Sequence, residues 1–306
     1  MPLQTEANSI PLASNDDTSP SDATHDQQRY YQSFPGAQYV LPSDPKEGQR
    51  FDALLLQHHV LKRAFQDKLV FAPIVLSPGD SVLDSGTGSA IWLLDIQQEL
   101  PMEVNLYGID IESRLFPPHQ SAERLQLSIA SASDLPAEWT HKFALVNQRL
   151  LVAALQVEQW TVVLKELYRV LTPGGWVQLG EIGTQHSKAG PMTERHRQLV
   201  KALFAKRNLL WDCAARLPSM LEHAGFTDIH VEEQSIPIGK HSGQAGVDAL
   251  TNFAGVYRGL KVPLVKAGIT SSAEYDELVD LMETEWNEVP TSATAFCAFY
   301  ARKPLV

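Results

Sequence analysis

The run Ser81-Val82-Leu83-Asp84-Ser85-Gly86-Thr87-Gly88-Ser89-Ala90-Ile91-Trp92 decides how this chain folds. A short apolar strand ends in a carboxylate, turns on two glycines and runs into an amphipathic helix. Gly86 and Gly88 have no Cβ, so the turn can be tight and the backbone can approach a ligand closely. The helix that follows presents free N–H groups toward that ligand. This order of elements places a nucleotide-like ligand at the carboxyl edge of a parallel sheet. Ile91 stands where a hydride-transfer dinucleotide turn has its third glycine, which leaves a dehydrogenase as a remote alternative.

C-terminal to this run, short apolar stretches (103–110, 125–130, 143–147 and 175–181) alternate with amphipathic ones (91–99 and 159–171). Such alternation predicts right-handed βαβ units and a parallel sheet covered on both faces. Thr172-Pro173-Gly174-Gly175 is expected to end a helix and turn into the fifth strand. Helices are expected over 193–208, 215–223, 246–260 and 272–289, and strands over 226–233 and 294–302. The last strand, set beside the 226–233 strand, completes a mixed sheet of seven. N-terminal to the glycine turn, a helix over 46–71 carries Phe51, Leu54, Leu55, His58, Leu61 and Phe65 at helical spacing.

The expected fold class is therefore α/β, a Rossmann-like seven-stranded mixed sheet with helical cap and lid segments. Residues 1–28, rich in Ser, Asp, Thr, Pro and Gln, read as a disordered tail. An N-terminal helical cap follows over 29–79, a cofactor-binding core over 80–240, a helical lid over 241–292 and a final core strand over 293–306.

Composition narrows the function. The 306 residues are 44% apolar and 20% charged, as in a globular protein. A net charge of −11 argues against a nucleic-acid partner. Cys213 and Cys297 form no CxxC pair, so neither a metal cluster nor a disulfide framework is expected, and a reducing, cytoplasmic compartment is the simpler reading. No apolar run is long enough for a membrane span, and no secretory signal is visible. Oligomeric state is not readable from the sequence.

Asp110 ends the second strand, where a carboxylate accepts hydrogen bonds from ribose hydroxyls. With Gly108-Ile109-Asp110-Ile111-Glu112, Ser131-Ala132-Ser133-Asp134-Leu135-Pro136, Val146-Asn147-Gln148-Arg149-Leu150-Leu151 and Leu171-Thr172-Pro173-Gly174-Gly175-Trp176, the chain resembles the class I S-adenosylmethionine-dependent methyltransferases. More narrowly it resembles their fungal LaeA/UMTA-type, secondary-metabolism group. The likeness spans residues 38–235.

The resemblance implies S-adenosyl-L-methionine as cofactor and a small-molecule acceptor. It implies that Asp84 orients the glycine loop and the methionine ammonium, and that Gly86 and Gly88 lie against that moiety. Asp110 and Ile111 would serve the ribose, and Ser131, Ala132 and Ser133 the adenine. Asn147, Gln148 and Arg149 would sit beside the sulfonium or the acceptor. Two departures stand out: Ser131 replaces an Asp found in many relatives, and Ser89-Ala90 replaces a Thr-Gly-like pair.

Methyl transfer is an in-line displacement governed by positioning, with a base needed only when the acceptor is protonated. Candidate catalytic residues are His58 on the cap helix, Glu181 at the end of strand five and Arg149. Tyr30, Tyr257 and His186 are candidates for the acceptor pocket. O-methylation is slightly favoured over N-methylation. The alternatives are a non-methylating cyclase that keeps the cofactor and a LaeA-like regulator. Asp110→Ala is expected to abolish cofactor binding with little loss of fold. Calorimetry with S-adenosylhomocysteine tests this, and an unchanged affinity would remove the ribose assignment.

Overall fold

The computed structural model describes residues 40, 47–118, 124–183 and 190–306. Residues 1–28, Tyr30 and His186 lie outside the described residues. Seven strands form one sheet in the order β3-β2-β1-β4-β5-β7-β6. Parallel neighbours are β1 (Ser81–Ser85), β2 (Asn105–Asp110), β3 (Leu125–Ile129), β4 (Phe143–Arg149) and β5 (Leu171–Ile182). β7 (Ala293–Arg302) runs antiparallel to β5 and to the edge strand β6 (Thr227–Pro237). Chain order reverses between β1 and β4, which is where an α/β sheet leaves a crevice at its carboxyl ends.

Strand alternation sends successive side chains to opposite faces. Leu83, Val146, Val177 and Phe299 face α3 (Val157–Val170) and α5 (Cys213–His223). Val82, Leu106, Leu145 and Trp176 face α2 (Ile91–Ile96) and the segment from Leu69 to Leu76. α3 buries Trp160, Val163, Leu164, Leu167 and Val170, one helical stripe. At its start the Gln156 N–H donates to Gln159 Oε1 at 2.8 Å.

α6 (Gly243–Gly259) and α8 (Ser272–Glu288) share a buried cluster with α1 (Glu47–Ala64) and with Phe296 and Ala298 of β7. α4 (Pro191–Arg207) and α7 (Lys261–Lys266) join α8 in a second cluster around Leu203, Leu264 and Tyr275. No described helix is long and apolar enough to cross a membrane.

Three differences from the sequence reading bear on how the segments pack. The helix expected over 46–71 stops at Ala64, because Gln66 and Asp67 take left-handed φ of 55° and 64°. That break lets Leu69, Ala72 and Leu76 enter the core under the sheet. α7 was not anticipated. The Thr172–Gly175 stretch is not a helix-to-strand turn: β5 begins at Leu171, opposite Phe143, and the next pair is Leu145 with Trp176. The four residues between bulge outward, held by Gly174 N–H on Lys303 O at 2.9 Å and Lys303 N–H on Gly175 O at 2.8 Å.

Gly180 of β5 is a point of close approach. A Cβ there would lie 2.9 Å from Phe296 Cζ and 3.1 Å from Arg149 Cγ. Gly180→Ala is expected to destabilise the fold by about 1–3 kcal/mol, seen as a lower urea midpoint at unchanged m-value. A midpoint equal to the parent's would show that the two side chains absorb the methyl.

Candidate active site

A cavity of about 880 Å³ lies above the carboxyl ends of β1 to β4. Asp84, Gly86, Gly88, Asp110, Ile111, Ser131, Ala132 and Ser133 all line it. Of the candidate catalytic residues, so do His58 and Arg149. The glycine loop holds its shape through backbone conformation: Gly86 and Gly88 have φ of 72° and 54°, a region that costs a residue with a Cβ. Ala90 takes the same region, with φ of 56°, at the start of α2. A Cβ on Gly86 would meet Leu151 Cδ2 at 2.9 Å, whereas at Gly88 the nearest atom is 3.9 Å away. The Gly88 backbone is therefore uncovered on its cavity side. Asp110 accepts the Gly88 N–H at 2.9 Å and the Glu112 N–H at 3.1 Å.

Beneath the loop a row of polar side chains crosses three strands. Asp84, Asn147 and Gln178 are direct neighbours in register on β1, β4 and β5. Asn147 Nδ2 donates to Asp84 Oδ1 at 2.6 Å, and Thr87 Oγ1 donates to Oδ2 at 2.7 Å. Gln178 Nε2 donates to Asn147 Oδ1 and to Leu69 O, and Gln178 Oε1 accepts the Phe71 N–H. Burial pushes the Asp84 carboxyl above the ordinary carboxylate range, against the field of Arg149 and the two hydrogen bonds. Asn147 supports Asp84 from below and does not line the cavity. Gln148 does not line it either. Strand parity turns it to the opposite face, where it accepts the Ser85 hydroxyl at 3.1 Å.

His58 is buried between Asp95 of α2 and Arg149. Its Nε2 lies 3.0 Å from Asp95 Oδ2, and its Nδ1 lies 3.3 Å from an Arg149 terminal nitrogen. A guanidinium only donates, so Nδ1 is the acceptor and Nε2–H donates to Asp95. Burial, then the nearby Arg149 charge, lowers the imidazole pKa from 6.5 to about 4, so the ring is neutral. Partial burial pushes the Asp95 carboxyl up, but hydrogen bonds from His58 and from Lys62 Nζ at 2.8 Å outweigh it and hold it below its ordinary value.

Glu181 and Tyr257 lie away from the cavity wall. Glu181, fully buried, accepts the Leu151 N–H at 2.8 Å and, more weakly, the Val152 N–H at 3.4 Å. It does not pair with Arg149. Its carboxyl group fixes the turn that begins at Leu150, with φ of 59°, and so brings Leu151 against the glycine loop. Tyr257 packs its ring 4.2 Å from that of His196 and 6.0 Å from that of Trp286, between α4, α6 and α8. Burial pushes its hydroxyl pKa up to about 12.

Sequence reasoning missed Glu166 and Arg169 of α3. Glu166 accepts the Leu135 N–H at 2.9 Å, while Arg169 donates to Leu135 O at 2.9 Å and pairs with Glu166. The pair clamps the wall after β3, where Ser131 Oγ and Ser133 Oγ lie 2.8 Å apart. Their spacing of three on one helix face was the available signal. Among the described residues no group of His, Cys, Asp and Glu is placed to hold a metal.

Residues 82–175 match a family model described as a methyltransferase domain. The chain is 33% identical to the N-methyltransferase verN of Clonostachys rogersoniana over 216 residues, 69% of this chain and 73% of that one. It is 28% identical to the N-methyltransferase sirN of Leptosphaeria maculans, over 89% of this chain and 96% of that one. The secondary metabolism regulator laeA of Fusarium oxysporum f. sp. lycopersici is 27% identical, over 67% of this chain and 66% of that one.

Burial raises the Glu181 pKa from 4.5 to about 8, against the pull of its two backbone hydrogen bonds. The folded state then holds a proton that the unfolded state releases, so this residue's contribution falls as pH rises from about 5 to 8. Glu181→Gln keeps an acceptor oxygen and removes the titration. Its stability relative to the parent is expected to rise across that window in urea unfolding, and a difference independent of pH would contradict the raised pKa.

Proposed function

The chain belongs to the class I S-adenosylmethionine-dependent methyltransferases, in their fungal secondary-metabolism group, and we propose that it methylates a nitrogen atom of a small-molecule acceptor. Its residues fit the cofactor, which when bound supplies an electrophilic methyl group on a sulfonium. The uncovered Gly88 backbone and the Asp110 carboxylate, on the cavity wall at the end of β2, suit a ribose diol. Ile111, Ala132 and Leu135 on the same wall suit the faces of an adenine ring. Leu54, Gln57 and Leu61 of α1, with Leu150 across the cavity, form the less polar end and are assigned to the acceptor.

The state of His58 carries the choice of nitrogen. An alcohol must lose its proton as the carbon–oxygen bond forms, so a hydroxyl acceptor calls for a base within reach. His58 lines the cavity, yet its Nε2–H is given to Asp95 and its Nδ1 lone pair to Arg149. Asp84 accepts from Thr87 and Asn147, and Glu181 faces the backbone of the 151–152 turn. A neutral amine attacks with its own lone pair and loses its proton afterwards to water. The names of verN and sirN as N-methyltransferases support the same reading. Those names lend no support to the slight preference for oxygen drawn from sequence.

Methyl-labelled S-adenosylmethionine, offered with matched pairs of small molecules that differ only in amine or hydroxyl, tests the proposal. Label is expected in the amine products. Label confined to the hydroxyl members would overturn the nitrogen assignment, and acceptor turnover without label would overturn methyl transfer to that acceptor.

A further inference from the structure

Arg149 is a largely enclosed cation with more donors than partners. Its side chain passes over Gly180, where no Cβ intervenes. A guanidinium carries five N–H donors. Among the described residues its one side-chain hydrogen bond goes to His58 Nδ1, at 3.3 Å. Asp84 and Asp95 act on it through their fields, and among the described residues no carboxylate oxygen pairs with it directly. Burial accordingly lowers its pKa. A buried charge without a paired counter-charge is costly, and the side of Arg149 left to supply one is the cavity it lines.

The groups behind Arg149 fix where it points. Lys62 and His58 of α1 both donate to Asp95 Oδ2 of α2, at 2.8 and 3.0 Å. With the Nε2 proton committed to Asp95, the Nδ1 lone pair is presented to Arg149. The chain Asp95, His58, Arg149 thus joins α2, α1 and β4 and sets one edge of the guanidinium against protein. Asp84, whose charge acts on Arg149, lines the same cavity. A carboxylate and a guanidinium lining one cavity are complementary to a zwitterion, an ammonium against the first and a carboxylate against the second.

We propose that Arg149 receives the carboxylate of the cofactor's amino-acid moiety, and that His58 and Asp95 are positioning residues that hold its guanidinium in place. The proposal rests on the cofactor placement given above, with adenosine between Asp110 and the Ser131–Ser133 wall. That placement leaves the amino-acid end at Asp84 and Arg149.

Calorimetry on the full chain separates the roles by comparing S-adenosylhomocysteine with 5′-methylthioadenosine, which keeps the adenosine and thioether and lacks the amino acid. Arg149→Gln is expected to weaken S-adenosylhomocysteine by about 10- to 100-fold, the range for one hydrogen-bonded charge, with 5′-methylthioadenosine within about twofold of the parent. His58→Gln and Asp95→Asn are expected to show the same selectivity with smaller losses, and they carry the test if Arg149→Gln fails to fold. Equal losses for both ligands, or an unchanged S-adenosylhomocysteine affinity, would overturn the proposal. A lower methyl-transfer rate in His58→Gln with unchanged S-adenosylhomocysteine affinity would return His58 to a role as base. Asp110→Ala, measured alongside, is expected to lose both ligands. If it binds both normally, the cofactor placement itself fails.

Discussion

The carboxylate of Asp84 is buried at the carboxyl end of β1, directly under the glycine loop, and the cofactor site depends on its being satisfied there. An unpaired polar group in such a place costs about 1–3 kcal/mol, and a charged one more. Here Thr87 serves one oxygen and Asn147 the other. Asn147 is in turn held by Gln178, and Gln178 by the backbone of Leu69 and Phe71. The row crosses the sheet along its own register, so three adjacent strands and the segment after α1 are tied to the loop that faces the cofactor. Such networks are most stabilising when every member is satisfied. The consequence is geometric: the end of α1, and with it His58, is placed relative to the glycine loop by hydrogen bonds inside the core.

Much of this was legible in the sequence because the signals are local. Alternating apolar runs marked the parallel strands, and the glycine turn marked the crevice. Gly86, Gly88, Asp110, Ile111 and Ser131 to Ser133 line the cavity because they sit at strand ends, where position along the chain and position in the fold coincide. Asn147, Gln148 and Arg149 show where legibility ended. β4 runs to Arg149 because Gln148 and Arg149 pair with Leu179 and Gly180. Strand parity then sends Arg149 and Asn147 to one face and Gln148 to the other, and only Arg149 reaches the cavity. Asp95 and Gln178 gave no signal at all, since their partners His58 and Phe71 lie 37 and 107 residues away in the chain. Glu181 stands at the ligand edge as expected, but it points at the underside of the Leu151 turn, a direction that periodicity does not encode.

The two ends of the cavity are built by different means. The end proposed for adenosine is made of strand termini and backbone, braced from outside by the Glu166–Arg169 pair. The far end is walled by side chains of one helix, α1, and by the Leu150–Leu151 turn. Backbone placement tolerates little change without loss of the sheet, whereas side chains on one helix face can be exchanged singly. On the proposed placement, cofactor recognition is the fixed part of the molecule and acceptor recognition the adjustable part.

The sheet order carries a further consequence, for how the chain comes together as it is made. β6 pairs with β7 alone, and β7 lies between β5 and β6. β7 is also the last of these seven strands in chain order, and Lys303 just after it binds the carbonyls of Tyr168 and Leu171 at the end of α3. While the chain is still emerging from the ribosome, β1 to β5 can associate into a parallel half-sheet carrying the glycine loop. β6 meanwhile has no strand to pair with, and the cluster shared by α1, α6 and α8 lacks Phe296 and Ala298. Completion of the α1–α6–α8 cluster therefore waits until β7 has been made, and a ribosome stalled before residue 293 would hold a chain with the glycine loop on its parallel half-sheet and that cluster still open.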